Sequence, residues 1–137
     1  LGDVLKGVIP VLIARALSDD AAILAATAGA ALLGHLFPVY HGFHGGKGVA
    51  TALGVWAALN PWVGLLLVAT WLFMAALFRY SSLAALTAAV AAPLYVWWLM
   101  PQPPFVIAML AMSTLLLYRH RSNIRNLIAG NEKRIGR

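Results

Sequence analysis

The chain has 137 residues, of which 62% are hydrophobic and only 10% charged, and its mean hydropathy is +0.84. A water-soluble domain of this size cannot bury so much apolar surface, so the composition selects an all-α, polytopic membrane bundle in a single domain spanning residues 1–137. The absence of cysteine excludes disulfides, thiolate metal sites and a cysteine nucleophile, while a net charge of +6 without aromatic-basic interleaving before the last segment favours anionic headgroups or phosphorylated substrates over nucleic acid.

Six apolar runs read as helices, over residues 4–17, 21–37, 49–59, 63–78, 83–100 and 105–118. Several fall short of the ~20 residues that a spanning helix prefers. The shortest, 49–59, reads either as a span of its own or as half of a broken pair with 63–78 across Asn60-Pro61. Near the first helix, Asp3 and Lys6 lie three apart on one face, forming an intrahelical pair or turning Lys6 toward a polar site. Gly29, Gly34, Gly54 and Gly64, set among alanines, read as faces where helices approach closely.

Between the second and third helices runs His41-Gly42-Phe43-His44-Gly45-Gly46-Lys47-Gly48-Val49-Ala50-Thr51. Glycines expose backbone N–H groups, the following helix aims its positive dipole end at them, and Lys47 adds a full charge. The pattern is an anion cradle, and phosphate is its expected guest. It fails the nucleotide template G-x-x-x-x-G-K-[ST], because Gly48 stands where the hydroxyl belongs, so ATP is not expected. His35 through Tyr40 likewise fails the H-x-x-x-x-D pattern of coenzyme A-dependent glycerolipid acyltransferases, with Tyr40 in the aspartate position. No acidic partner joins His35, His41 and His44, so no metal is expected.

If the chain crosses at every helix, Lys6, Lys47, Arg79, Arg119, Arg121, Arg125, Lys133, Arg134 and Arg137 share one side, and Asp19, Asp20 and Arg15 take the other. The positive-inside rule assigns the basic side to the cytoplasm. Trp62, Trp71, Trp97 and Trp98 fall near helix ends or in the outer half of spans, as interfacial anchors do, with contact to an acyl chain as the alternative. Ser82 caps the helix after it or donates to a phosphate. In the tail, His120 stands between Arg119 and Arg121, which favour its neutral form, and Asn123 lies one helical turn on. Such a histidine is a proton acceptor near neutral pH, although the same stretch also serves as a plain positive stop signal.

Taken jointly, Asp3-Val4-Leu5-Lys6-Gly7, Gly34-His35-Leu36-Phe37-Pro38 leading to Gly45-Gly46-Lys47-Gly48-Val49-Ala50-Thr51, Arg79-Tyr80-Ser81-Ser82-Leu83, and Arg119-His120-Arg121-Ser122-Asn123-Ile124 through Gly130 and Glu132 strongly resemble the PlsY family across the whole chain. The resemblance implies an enzyme of the bacterial inner membrane, with seven helices in the complete member. It implies acyl transfer from acyl phosphate to glycerol 3-phosphate, giving lysophosphatidic acid and phosphate with no cofactor and no coenzyme A. It further implies that His120, Asn123 and Lys47 are catalytic, and that Gly45, Gly46, Gly48, Thr51, Ser82, His35, Lys6 and Arg119 bind substrate. The family's first motif, G-S-G-N-x-G-x-T-N, has no counterpart here, so the chain reads as a member lacking its N-terminal helix. Reading from the residues alone leaves two rivals: a small transporter or channel for a phosphorylated anion, and a lipid-binding scaffold.

Overall fold

The computed structural model describes residues 1–38, Gly42 and 45–136, and regular structure among them is entirely α-helical. The helices are α1 (Gly2–Leu17), α2 (Ala21–Leu36), α3 (Val49–Leu59), α4 (Pro61–Phe78), α5 (Ser81–Leu99), α6 (Pro103–Arg119) and α7 (Arg121–Ile128). The first six are the apolar runs, with ends set by local chemistry. Asp20 Oδ1 accepts from the Ala22 and Ile23 amides and starts α2, and Asn60 Oδ1 accepts from Trp62 N–H and starts α4 with Pro61 in its first turn. The short seventh helix, not separated from the tail by its sequence, carries Ile124, Leu127 and Ile128 beside Arg121 and Arg125.

Asn60 also closes α3 through its N–H to the Trp56 carbonyl, so α3 and α4 form a tight hairpin and not two halves of one span. Gly64 packs so closely on Ala57 that a side chain there would strike it. At ~1.5 Å per residue α3 is only about 16 Å long, roughly half the bilayer's hydrocarbon thickness. It gains its stability by running alongside α1. Gly7 faces the Thr51 carbonyl and Gly54 faces the Val4 carbonyl, so neither position has room for a Cβ. Gly29 and Gly34, by contrast, have open space around them and pack no helix.

Apolar side chains occupy both the interior and the perimeter. Val11, Leu32, Leu36, Val55, Trp56, Val63 and Val96 are sealed inside, while Leu65, Phe73, Leu94 and Ile107 lie outward and exposed. A bundle apolar on its outside, with Pro61–Phe78 and Ser81–Leu99 long enough to cross a bilayer, is an integral membrane fold. Trp62, Trp97 and Trp98 stand exposed near the ends of α4 and α5, as interfacial rings do.

Cross-chain contacts bring the basic ends together. Thr51 Oγ1 donates to the Asp3 carbonyl at 2.8 Å, Arg119 reaches Gly45, Asn123 reaches Glu132, and Arg79 exchanges bonds with Ile135. At the opposite end Arg15 donates to the Ala58 carbonyl at 2.6 Å. Arg137 lies outside the described residues.

Candidate active site

The glycine run lies between the C-terminal turn of α2 and the N-terminus of α3, and each glycine has its own reason to be there. Gly45 sits against the His35 and Leu36 carbonyls, leaving no space for a Cβ. At Gly46 a Cβ would come within 2.9 Å of His35 Nε2. Gly48 adopts φ +85, a left-handed conformation open to glycine, and closes against Leu32, Leu36 and Leu116 as the residue preceding α3. Lys47 is exposed and projects beside the α3 N-terminus, so an ammonium and a helix dipole share one spot.

Facing it, His120 is the hinge between α6 and α7 and only 4% exposed. Its Nδ1 lies 2.8 Å from the Leu116 carbonyl oxygen. A carbonyl only accepts, so Nδ1 carries the proton and Nε2 keeps its lone pair. Burial pulls the imidazole pKa below its ordinary value and the Lys47 charge adds to this, with the Leu116 carbonyl and Glu132 in partial opposition. The ring is therefore a neutral acceptor at pH 7.

Asn123, on α7, donates its Nδ2 to Glu132 Oε1 at 2.7 Å. That bond orients the amide and leaves Asn123 Oδ1 buried and without a partner among the described residues. Burial pushes the Glu132 carboxyl up, but Ser82, Asn123, Asn126 and the Lys47 charge together outweigh it and hold the group below its usual value. Ser82 caps nothing: α5 begins at Ser81, and the Ser82 hydroxyl is turned inward toward Glu132 without an aligned bond.

These groups rim a cavity of about 780 Å³. Its polar end holds Asp3, His35, Lys47, Ser82, His120, Asn123 and Glu132. From there it descends as an apolar groove. The floor is Ala85, Ala88, Ala89 and Ala92, one face of α5 at helical spacing, and bulky walls come from Trp56 of α3, Trp71 of α4 and Met109 and Met112 of α6. Ser82 to Ala92 spans ~15 Å of helix at 1.5 Å per residue. Leu72 lines the groove and is also 55% exposed, so the groove reaches the perimeter of the bundle.

Among the residues the sequence singles out, Lys47, Gly46, Gly48, His35, Ser82, His120 and Asn123 come together on this cavity. Gly45 lies beside them on the outer face of the run. Three others go elsewhere. Thr51 is fully buried and spends its hydroxyl on the Asp3 carbonyl between α1 and α3, so it does not face a ligand. Lys6 is exposed and does not line the cavity itself, but pairs at 2.8 Å with Asp3 on the cavity rim. Arg119 stands behind the glycine run, donating to the Gly45 and Gly46 carbonyls at 2.8 and 3.0 Å. Trp71 lines the groove, in contrast to the exposed Trp62, Trp97 and Trp98. Tyr40, His41 and His44 lie outside the described residues.

Other lining groups are not among the binding residues expected from the sequence, where Asp3 enters only as the partner of Lys6 and within its motif. Asp3 approaches His35 Nδ1 at 3.6 Å from the cavity rim, and Trp56 Nε1 and Ser113 Oγ are buried without partners among the described residues. Glu132 falls inside the tail motif, and its signal is only that it is an acidic residue in a basic stretch.

An amphiphilic cavity, polar at one bundle end and apolar below, set among membrane helices, defines a membrane-embedded protein that handles a charged group attached to a lipid chain. The sequence profile of the glycerol-3-phosphate acyltransferase family matches residues 1–130, and the chain belongs to that family. It is 55% identical over 136 residues to the glycerol-3-phosphate acyltransferase of Thioalkalivibrio sulfidiphilus, covering 99% of this chain and 67% of the relative. The enzyme of that name from Neisseria meningitidis serogroup A is 54% identical over 141 residues, with 99% and 70% covered. Crystal structures of PlsY, an integral membrane glycerol 3-phosphate acyltransferase, in its lysophosphatidic acid and glycerol 3-phosphate forms, each superpose with a TM-score of 0.93 at 43% identity over 98% of this chain. The chain spans 69% and 68% of those two structures.

Proposed function

We propose that this chain forms the acyl-transfer site of an acyl-phosphate-dependent glycerol-3-phosphate acyltransferase, working at the cytoplasmic face of a bacterial inner membrane. The observation that carries the proposal is the single cavity that joins Lys47, His120 and Asn123 to an alanine-floored groove. An acyl phosphate fits it end to end, its chain in the groove and its phosphoryl group at Lys47 and the glycine amides. The chain would enter from the bilayer past Leu72.

Acyl phosphate is a mixed anhydride, so no covalent enzyme nucleophile is needed. The glycerol 3-phosphate hydroxyl attacks the acyl carbonyl carbon. His120 Nε2 or the donor phosphate takes its proton, and the bond from the acyl carbon to the phosphate oxygen breaks. Phosphate leaves with the electron pair, and lysophosphatidic acid remains. Asn123 Oδ1 accepts from the second hydroxyl of glycerol 3-phosphate and so aligns the attacking one, Glu132 fixes that amide, and Lys47 with the helix dipole offsets the charge that grows on the leaving group. The basic residues at the cavity end of the bundle support the cytoplasmic placement.

The test is a proteoliposome reaction with acyl phosphate and glycerol 3-phosphate. Lysophosphatidic acid and phosphate appearing in equal amounts, without solute movement, supports the enzyme. Uptake of labelled glycerol 3-phosphate with no lipid product would replace it with transport.

A further inference from the structure

We propose that Arg119 is a positioning residue: from behind the glycine run it turns the Gly46 and Lys47 amides into the cavity to face phosphate. Its Nη2 donates to the Gly45 carbonyl at 2.8 Å and to the Gly46 carbonyl at 3.0 Å. No peptide bond among the described residues is cis, so each carbonyl points away from the N–H of its own peptide unit. The unit that includes the Gly45 carbonyl carries the Gly46 N–H, and the unit that includes the Gly46 carbonyl carries the Lys47 N–H. Drawing both oxygens to one guanidinium therefore drives both N–H groups to the opposite side.

That side is the cavity. Gly48 lines it, Gly46 and Lys47 lie between it and a separate outer cleft and border both, and Arg119 borders only the outer cleft, so amides turned away from its guanidinium face the cavity. Two successive carbonyls facing the same way are not a property of extended backbone, in which they alternate, and here a single guanidinium nitrogen holds both. The product is a pair of adjacent amides turned to one side, a geometry suited to a phosphoryl oxygen. Arg119 is itself steadied by the Phe37 ring, 5.8 Å from its guanidinium carbon, and by its place in the last turn of α6, next to His120. The cradle and the histidine are thereby fixed to one helix end.

The inference rests on the cradle holding phosphate, and the test separates the two. In ¹⁵N-labelled membrane enzyme titrated with inorganic phosphate, the Gly46 and Lys47 amides of the wild type shift and exchange more slowly. In Arg119→Gln that protection disappears, phosphate affinity and kcat each fall by about tenfold or more, as for loss of an oriented donor, and Arg119→Lys, which retains one nitrogen for both carbonyls, recovers part of each. If Arg119→Gln keeps the amide protection and kcat of the wild type while Lys47→Ala abolishes turnover, the positioning role fails and the cradle stands. Should phosphate leave both amides unmoved in the wild type, the cradle itself fails. If Arg119→Gln does not fold, Arg119→Lys decides: turnover and amide protection closer to wild type than to Lys47→Ala support the role, and loss of protection with Lys47 intact and the fold retained overturns it.

Discussion

At the scale of single residues, charge and lone pairs decide what the site does. Lys47→Ala should cost on the order of 2 to 4 kcal/mol of transition-state stabilisation, read as the drop in kcat/KM, because it removes a preorganised cation beside the leaving group. In the proposed mechanism His120 acts as the neutral ring, and burial holds its pKa below the ordinary 6.5. The rate should therefore stay level through pH 7 and fall only on the acid side of 6.5. Removing Lys47's charge should move that acid limb up in pH, and Glu132→Gln should move it down, since Glu132 raises the His120 value. The same depression means that the unfolded chain takes up the His120 proton first, so folded-state stability declines as pH falls from 6.5 through the lowered value. Gly45→Ala should abolish activity and lower the thermal midpoint, since its Cβ meets the His35 carbonyl, whereas Gly46→Ala meets only the His35 ring edge. The glycine run, Lys47, His120 and Asn123 were legible because few residue types do their work. Thr51 and Arg119 were not, since a sequence shows that a hydroxyl or a guanidinium is present but not that a backbone carbonyl has already claimed it.

Among elements, apolar periodicity located six helices but not what lies between them. Ala85, Ala88, Ala89 and Ala92 read equally well as a close-packing face, and only the positions of α3, α4 and α6 turn that face into the floor of a groove. The same ambiguity affects Trp71, whose distance from a helix end does not say whether it looks outward or in. Filling the far end of the groove tests the assignment: Ala92→Phe should shift the preferred acyl donor to shorter chains with little change for short ones, measured as kcat/KM across a chain-length series. Unchanged preference would remove α5 from the acyl site. The α1 and α3 pair makes a separate prediction. Gly54→Val forces a side chain into the Val4 carbonyl and should destabilise the fold by roughly 1–3 kcal/mol, seen as a lowered thermal midpoint in detergent.

For the whole molecule, the connecting segments gather three separated polar stretches at one end of the bundle, and the short α3 makes this possible by returning the chain through Asn60. Breaks rich in basic residues alternating with breaks that carry none already implied this arrangement, because positive charge is costly to carry across a bilayer. Depth and facing within the bundle were not implied, since they depend on which helices pack together. Cysteines placed singly at Ser122 and Lys133 should react with an impermeant reagent from the cytoplasmic side, and one at Asp19 from the other. The most direct test of one shared site is a double-mutant cycle on kcat/KM with Lys47→Ala and His120→Ala. One cavity with both groups acting on one reacting complex predicts that the double variant loses much less than the product of the two single losses. Losses that multiply in full would mean that the two groups serve separate ligands, and would contradict this account.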